Sequence, residues 1–562
     1  MTERYTLHDL QRAIAAGKQG RADEALRICA QIVAADPGYA PAWHLRGSLE
    51  LERGDAAAAQ HAIGHALALD PRLPMAHYHL GLACAALNLL PEARDAFREA
   101  ARIHPDSPQA FTAVADLELK LANPGAALVA LADARRLGGT GPALARLEAQ
   151  AAAQLGRLDE ALVALEALAT AGDLPSWELR AGLLAGAGRD LALDAVLAHA
   201  PKLASLDLHR ARRARQRGAL AEARALLEPL VAGADLATAL RARFELGAVE
   251  EAAGAHAAAW AHWRDGNAAV AALEPPPHPE RPRFGEWLAL VGERLDLAAL
   301  AAAPRAAAPA PAPAFLFGFP RSGTTLLDAM LDAHGAFRIA EESGAANHVL
   351  DALEARGRRY PEGLTGLDAA GIAALREAYA AAIAGLLGAD APLERIVDKN
   401  PLLTPYLPAL WLAFPAARFV FVQRHPLDVV RSCYAFGFQP GRPLAAHADV
   451  AALARDYLAT YELWERVSAA LPLRAHTVRY ERLVAEPEPT LRALLAFLGA
   501  EWRPSVLVFD AHARARQHVT NNAETIVQPL FATSVGRWQR NAAELEPARA
   551  VLAPLLERLG YA

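Results

Sequence analysis

Cysteine is nearly missing from this chain: its 562 residues include three, Cys29, Cys84 and Cys433, with no C-x-x-C spacing. That excludes a disulfide framework and a cysteine-based zinc site. Excess positive charge is lacking too. A formal net charge of −6 argues against nucleic acid or an anionic membrane as the main partner. No uncharged apolar run of about 18 residues occurs, and the opening MTERYTLHDLQ lacks the apolar core of a signal peptide. The sequence therefore reads as a reduced-compartment protein without a membrane span, expected to be cytoplasmic and bacterial. Lysine is scarce as well: among 57 basic residues, Lys18, Lys120, Lys202 and Lys399 are the lysines. In a chain that writes arginine almost everywhere, a lysine in a functional setting stands out.

What is present is length and pattern. The chain predicts three to four domains at about 100–200 residues each, or two units if one is a repeat array. The first half is such an array. Asp36-Pro37, Asp70-Pro71 and His104-Pro105 fall about 34 residues apart. Gly20, Gly54, Asn88 and Gly156 follow the same grid with Ala122 filling its gap, as do Ala25, Ala59, Ala93, Ala127 and Ala161. Gly47 and Gly81 repeat the spacing again. Small residues at fixed offsets let paired helices approach, and proline stops the second helix of each pair. This pattern resembles the tetratricopeptide repeat family, and residues 1–273 are expected to form a solenoid of seven or eight repeats. The resemblance implies a concave surface for a peptide or protein segment. The alternative is a scaffold that holds the second half or builds a homodimer.

Composition then shifts. PPPHPERPR (275–283) and PRAAAPAPAPA (304–314) are proline-rich and stiff, and FGEWLALVGERLDLAAL between them predicts one amphipathic helix. Residues 274–313 are thus a linker, and a new domain spans 314–562.

That domain opens with AFLFGFPRSGTTLLDAMLDAH (314–334): an apolar strand, a tight turn and a buried helix. Strand, glycine-bearing turn and helix N-terminus make an anion cradle of backbone N–H groups. The spacing Gly318-x4-Gly323-Thr324-Thr325 approaches a nucleotide-hydrolysing P-loop, but Thr324 stands where its lysine belongs and Arg321 supplies the basic group. A nucleotide kinase is thereby disfavoured. A second motif lies in RFVFVQRHPLDVVRSCYAF (418–436), where Arg424 leaves a strand and Ser432 follows one turn after Asp428 on a helix.

The two motifs, in this order, resemble the sulfotransferases, most closely the tyrosylprotein sulfotransferases, over residues 315–538. The resemblance implies a P-loop-type α/β domain with a central parallel sheet. It also implies a 3′-phosphoadenosine 5′-phosphosulfate (PAPS) donor and no metal. Arg321, Ser322, Gly323, Thr324 and Thr325 would contact the 5′-phosphosulfate, with Ser322 to Thr325 on the 5′-phosphate and Arg321 neutralising the sulfonate as a catalytic residue beside Lys399; Arg424 and Ser432 would hold the 3′-phosphate. The acidic pair Glu341-Glu342 follows the short strand FRIA, and the second glutamate of the family's motif is the general base, hence Glu342 here. Ser343-Gly344 replaces the family's Thr-Arg after that pair. Lys399, in IVDKNP, matches the lysine that meets the bridging oxygen as its S–O bond stretches. Tyr480 and the loop residues Ser534, Gly536 and Arg537 are further cofactor contacts on this resemblance. A core tyrosine and a surface charge are the plain alternatives for Tyr480 and Arg537. His334 or His425 is the fallback base, and Cys433 is expected to be a small core residue. The acceptor stays open among a protein tyrosine, a sugar hydroxyl and a small alcohol. A repeat scaffold with a non-catalytic nucleotide pocket is the rival from another class.

Overall fold

The computed structural model describes residues 2–87, 89–121, 123–233, 235–274, 282–302, 311–388, 390–445, 447–515 and 526–561. Asn88 and Ala122 of the repeat grid and most of both proline-rich segments lie outside the described residues. The chain divides into two compact units, Met1–Ala151 and Ala152–Ala562.

The first unit is built of paired helices, among them Ala40–Glu52 with Ala56–Leu69 and Ala76–Ala86 with Leu90–Ile103. Ala25, Ala59, Ala93 and Ala127 are fully buried where the helices meet. A Cβ added at Gly81 would stand 2.6 Å from the ring of Phe97, so only glycine permits this approach. Asp36, Asp70 and His104 end the second helix of their pairs, each with proline next, as the grid requires.

The second unit continues with helices from Leu158–Thr170 to His256–Leu273 and then carries the sheet. The single helix expected across FGEWLALVGERLDLAAL is two, Phe284–Arg294 and Leu297–Ala301. Asp296 breaks it by turning its carboxylate onto the Ala299 N–H, 2.9 Å away, as the cap of the second helix.

Five parallel strands follow: β1 (Ala314–Phe317), β2 (Arg338–Glu341), β3 (Ile396–Lys399), β4 (Arg418–Gln423) and β5 (Arg474–Arg479), in the order β2-β3-β1-β4-β5. Alternation sorts their side chains to two cores. Phe315, Phe317, Phe419 and Phe421 face one core with Tyr379 and Trp464; Leu316, Val397, Val420 and Val478 face the other with Leu327 and Met330. Strands β1 and β3 are buried along their whole length; β1 reads as an unbroken apolar run, whereas β3 ends in the charged pair Asp398 and Lys399. The chain reverses direction through the sheet at β1, so the loops after β1, β3 and β4 gather at one crevice beyond the strand ends.

The first of these cores reaches beyond the sheet. Leu240, Phe244, Trp260, Trp263 and Val270, from helices Leu236–Ala252 and His256–Leu273, belong to it. These two helices therefore pack as part of the unit that holds the sheet. Among the described residues one helix, Ala369–Leu387, is long and apolar enough to cross a membrane by length and composition. It carries Arg376 and Glu377 at its middle and buries Ile372, Leu375, Tyr379 and Ile383 in the protein core.

Candidate active site

The turn after β1 leads straight into helix Thr324–Ala333, which places Thr324 and Thr325 in its first turn at the positive end of the helix dipole. Gly323 has φ of 108°, and the ring of Tyr480 occupies the space a Cβ would need. Glycine is thus required there twice over. Arg321 also adopts a left-handed backbone, with φ of 69°. Among the described residues Met75, Arg321 and Glu342 are the non-glycine residues with positive φ, and two of these three are candidate site residues.

Arg424, at the exit of β4, closes the loop from the other side. Its guanidinium donates to the Arg321 carbonyl at 2.9 Å and to the Ser534 carbonyl at 2.5 Å, and lies 4.6 Å from the Tyr480 ring centre. Ser432, on helix Pro426–Phe436, accepts from Arg321 Nε at 3.2 Å. The two sequence motifs, 111 residues apart at this contact, thus meet side chain to side chain. Burial lowers the pKa of the Arg321 guanidinium, and the neighbouring charges of Arg424 and Arg537 press the same way. Three arginines in electrostatic reach of one another suit a ligand with several anionic groups.

Asp428 ties the C-terminal loop to this cluster. Its buried carboxylate accepts from the Gly536 N–H at 2.7 Å and the Trp538 N–H at 2.8 Å. Ser534 and Gly536 are held by their backbone, while Arg537 Nε donates to the Thr533 carbonyl at 2.9 Å. Tyr480 is buried in the second core and wedged between Gly323 and Arg424.

Lys399 ends β3 with its side chain fully buried. Its ammonium lies 2.9 Å from Glu341, 3.3 Å from Glu342 and 3.3 Å from Asp328. Strand register explains the first contact, since Glu341 is paired directly with Lys399 across β2 and β3. Burial alone would lower the lysine pKa; Asp328, Glu341 and Glu342 outweigh it and raise the value, so the ammonium stays charged. Glu342 has φ of 47° and donates its N–H to the Lys399 carbonyl at 2.7 Å, leaving its carboxylate more than half exposed.

Two buried groups at the loop fit the anionic donor that the resemblance implies. Ser322 Oγ in the loop and Arg424 Nε beside it are buried and without a hydrogen-bond partner among the described residues. Both are donors, and phosphate or sulfate oxygens are acceptors. Residues 313–504 match the sulfotransferase family, and residues 44–108 match the tetratricopeptide repeat. Residues 313–504 are a sulfotransferase-family domain.

Two relatives and one solved structure illustrate the likeness. A protein of Aquifex aeolicus (strain VF5) is 28% identical over 256 residues, 44% of this chain and 33% of that one. Protein-tyrosine sulfotransferase 1 of Danio rerio is 29% identical over 259 residues, 44% of this chain and 71% of that one. The sulfotransferase domain from the curacin biosynthetic pathway aligns at 20% identity with a TM-score of 0.31, covering 44% of this chain and 98% of that one. The chain thus spans a third of the Aquifex relative and about seven tenths of the Danio rerio one.

Within the sulfotransferase domain, the two fallback histidines have other partners. His334 lies at the far end of helix Thr324–Ala333 from the loop, with Nε2 2.7 Å from the Glu501 carbonyl. His425 stacks on Trp538 at 5.3 Å and leans on Tyr561 at 4.7 Å. Cys433 is buried, donates to the Pro320 carbonyl, and has its thiol pushed up to about 12 by burial. Sequence reasoning assigned no role to Asp328, Glu341 or Asp398. Asp398 is buried, accepts from Tyr379 at 3.0 Å and Ser343 at 3.2 Å, and burial raises its carboxyl to about 6. Ser343 in turn accepts from the Ala345 N–H at 3.2 Å, so it anchors the start of helix Ala345–Glu354 just after Glu342.

Proposed function

We propose that this chain is a PAPS-dependent sulfotransferase whose acceptor is a protein tyrosine. The observation that carries the reading is the contact of Lys399 with Glu342 at 3.3 Å beside the Arg321–Ser432–Arg424 cluster. A carboxylate base paired with a buried cation, and an anion cradle, then share one crevice. The Danio rerio relative's name supplies the acceptor, and the repeats match a polypeptide partner.

In the proposed reaction the acceptor oxygen attacks sulfur and its proton passes to the Glu342 carboxylate. A new S–O bond forms to the acceptor as the bond from sulfur to the bridging phosphate oxygen breaks. The electron pair stays on that oxygen, and 3′,5′-diphosphoadenosine leaves. Lys399 faces the growing charge, and Arg321 with the loop N–H groups holds the sulfonate in line. Glu341 and Asp328 keep Lys399 charged and aimed throughout. The three cysteines are buried and free, which suits a reducing compartment, and we place the reaction in the cytoplasm.

The test is transfer from labelled PAPS to a panel of tyrosine peptides, oligosaccharides and simple phenols. Labelled tyrosine with stoichiometric 3′,5′-diphosphoadenosine supports the reading. Label on sugar alone redirects it to a carbohydrate O-sulfotransferase, and nucleotide bound without turnover leaves a repeat scaffold.

A further inference from the structure

The helix that carries Ser432 is not held by the sulfotransferase domain alone. Arg431, its preceding residue, is buried, and its guanidinium points away from the crevice toward the repeats. One arm donates to Glu251 at 2.5 Å and Nε donates to Asn541 at 2.9 Å, with the group 5.1 Å from the Trp263 ring centre. Glu251 sits in repeat helix Leu236–Ala252; Asn541 ends the short turn Arg537–Asn541 of the C-terminal loop. Glu251 also reaches Arg540 of that loop at 3.3 Å. One repeat carboxylate thus grips both the serine helix and the loop that Asp428 closes over it.

Neighbouring contacts fix the same interface. Asn267, buried in repeat helix His256–Leu273, donates to the Tyr434 carbonyl at 2.8 Å, and Trp260 stacks on the Tyr434 ring at 4.9 Å. The helix between Arg424 and the loop is therefore set in rotation by repeat residues. A buried guanidinium that loses its carboxylate is strongly disfavoured, so the helix would turn to find another partner. Ser432, one residue on, and Asp428, three residues back, turn with it.

Building on the donor reading above, we propose that Glu251 is a positioning residue for the 3′-phosphate subsite: the last repeat pair completes the nucleotide site through Arg431. The repeats are then more than a recruiting module, because part of the donor's recognition depends on them.

The test uses the full chain and compares calorimetric affinities for 3′,5′-diphosphoadenosine and 5′-AMP in wild type, Glu251→Gln, Glu251→Asp and Glu250→Gln. Glu250 is the control: it lies on the same helix but pairs with Arg224 at 2.7 Å, within the repeats. The ratio of the two affinities should fall about tenfold in Glu251→Gln, a typical coupling between linked sites, and less in Glu251→Asp, which keeps the charge. It should hold at the wild-type value in Glu250→Gln. If Glu251→Gln does not melt cooperatively, Glu251→Asp against Glu250→Gln decides. An unchanged ratio in the Glu251 variants, or an equal fall in Glu250→Gln, overturns the proposal while the donor reading stands. A wild type that binds both nucleotides equally overturns the donor reading and this inference with it.

Discussion

The ammonium of Lys399 lies 3.3 Å from the carboxylate of Glu342, across the ends of two neighbouring parallel strands. Before any substrate arrives, the proposed base and the cation proposed to face the leaving oxygen are already paired. Glu341 and Asp328 flank the lysine at 2.9 and 3.3 Å, so Glu342 can be drawn toward an acceptor without leaving the ammonium bare.

Lys399→Met removes both the proposed catalytic charge and a structural one. Turnover should fall by about 10²–10³-fold, the loss seen when one stabilising donor is deleted. Asp328 would be left buried without its counter-charge, costing about 3–5 kcal/mol. Adding Asp328→Asn to Lys399→Met should restore part of the stability and none of the turnover. Thermal melts and initial rates on the single and double variants check this.

Glu342→Gln keeps the shape and removes the proton acceptor. The expected outcome is a fall in kcat of about 10²–10⁴-fold. Affinity for 3′,5′-diphosphoadenosine should be unchanged, because the proposed nucleotide contacts lie on other residues. A nucleotide affinity that drops together with kcat would count against the base assignment.

These two residues were legible in the sequence, and their partners were not. Lys399 stood out because the chain uses so few lysines and because it matches the lysine of the family it resembles, and Glu342 because it is the second glutamate of that family's acidic pair. Glu341 meets Lys399 through the register of β2 on β3, and Asp328 reaches it from the loop helix; neither pairing has a sequence period. The repeat grid was readable because close helix approach demands small residues at fixed places, as Gly81 against Phe97 shows. The break at Asp296 was missed, although an aspartate directly before an apolar run is a capping signal. The link from Glu251 to Arg431 joins residues 180 apart, beyond what local pattern reports.

Asp428→Asn tests the closing loop. The substitution keeps one acceptor oxygen but loses the charge that draws the Gly536 and Trp538 N–H groups. Charge-assisted bonds of this kind contribute about 1.5–3 kcal/mol each. Nucleotide release should therefore quicken about tenfold or more, measured by stopped-flow fluorescence of the tryptophans. Unchanged release would mean that the loop is held by its other contacts.

The first unit carries a pH-sensitive pair. His44 Nε2 and His79 Nδ1 lie 2.7 Å apart, which requires at least one neutral ring. Burial, and then the His79 charge, lowers His44 from 6.5 to about 4. Because the folded value is depressed, the unfolded chain binds the proton first, and stability falls as pH drops from about 6.5 toward 4. His44→Gln should flatten that fall in chemical unfolding between pH 7 and 4.5; an identical slope would contradict it.

The central claim is that Arg321, Arg424 and Ser432 form a site for a nucleotide with a 3′-phosphate. Calorimetric titration with 3′,5′-diphosphoadenosine, 5′-AMP and magnesium ATP, on wild type and Arg424→Ala, tests it most directly. The account predicts tight binding of 3′,5′-diphosphoadenosine alone, weakened about a hundredfold in Arg424→Ala. Equal binding of 5′-AMP, or no loss in the variant, would contradict it.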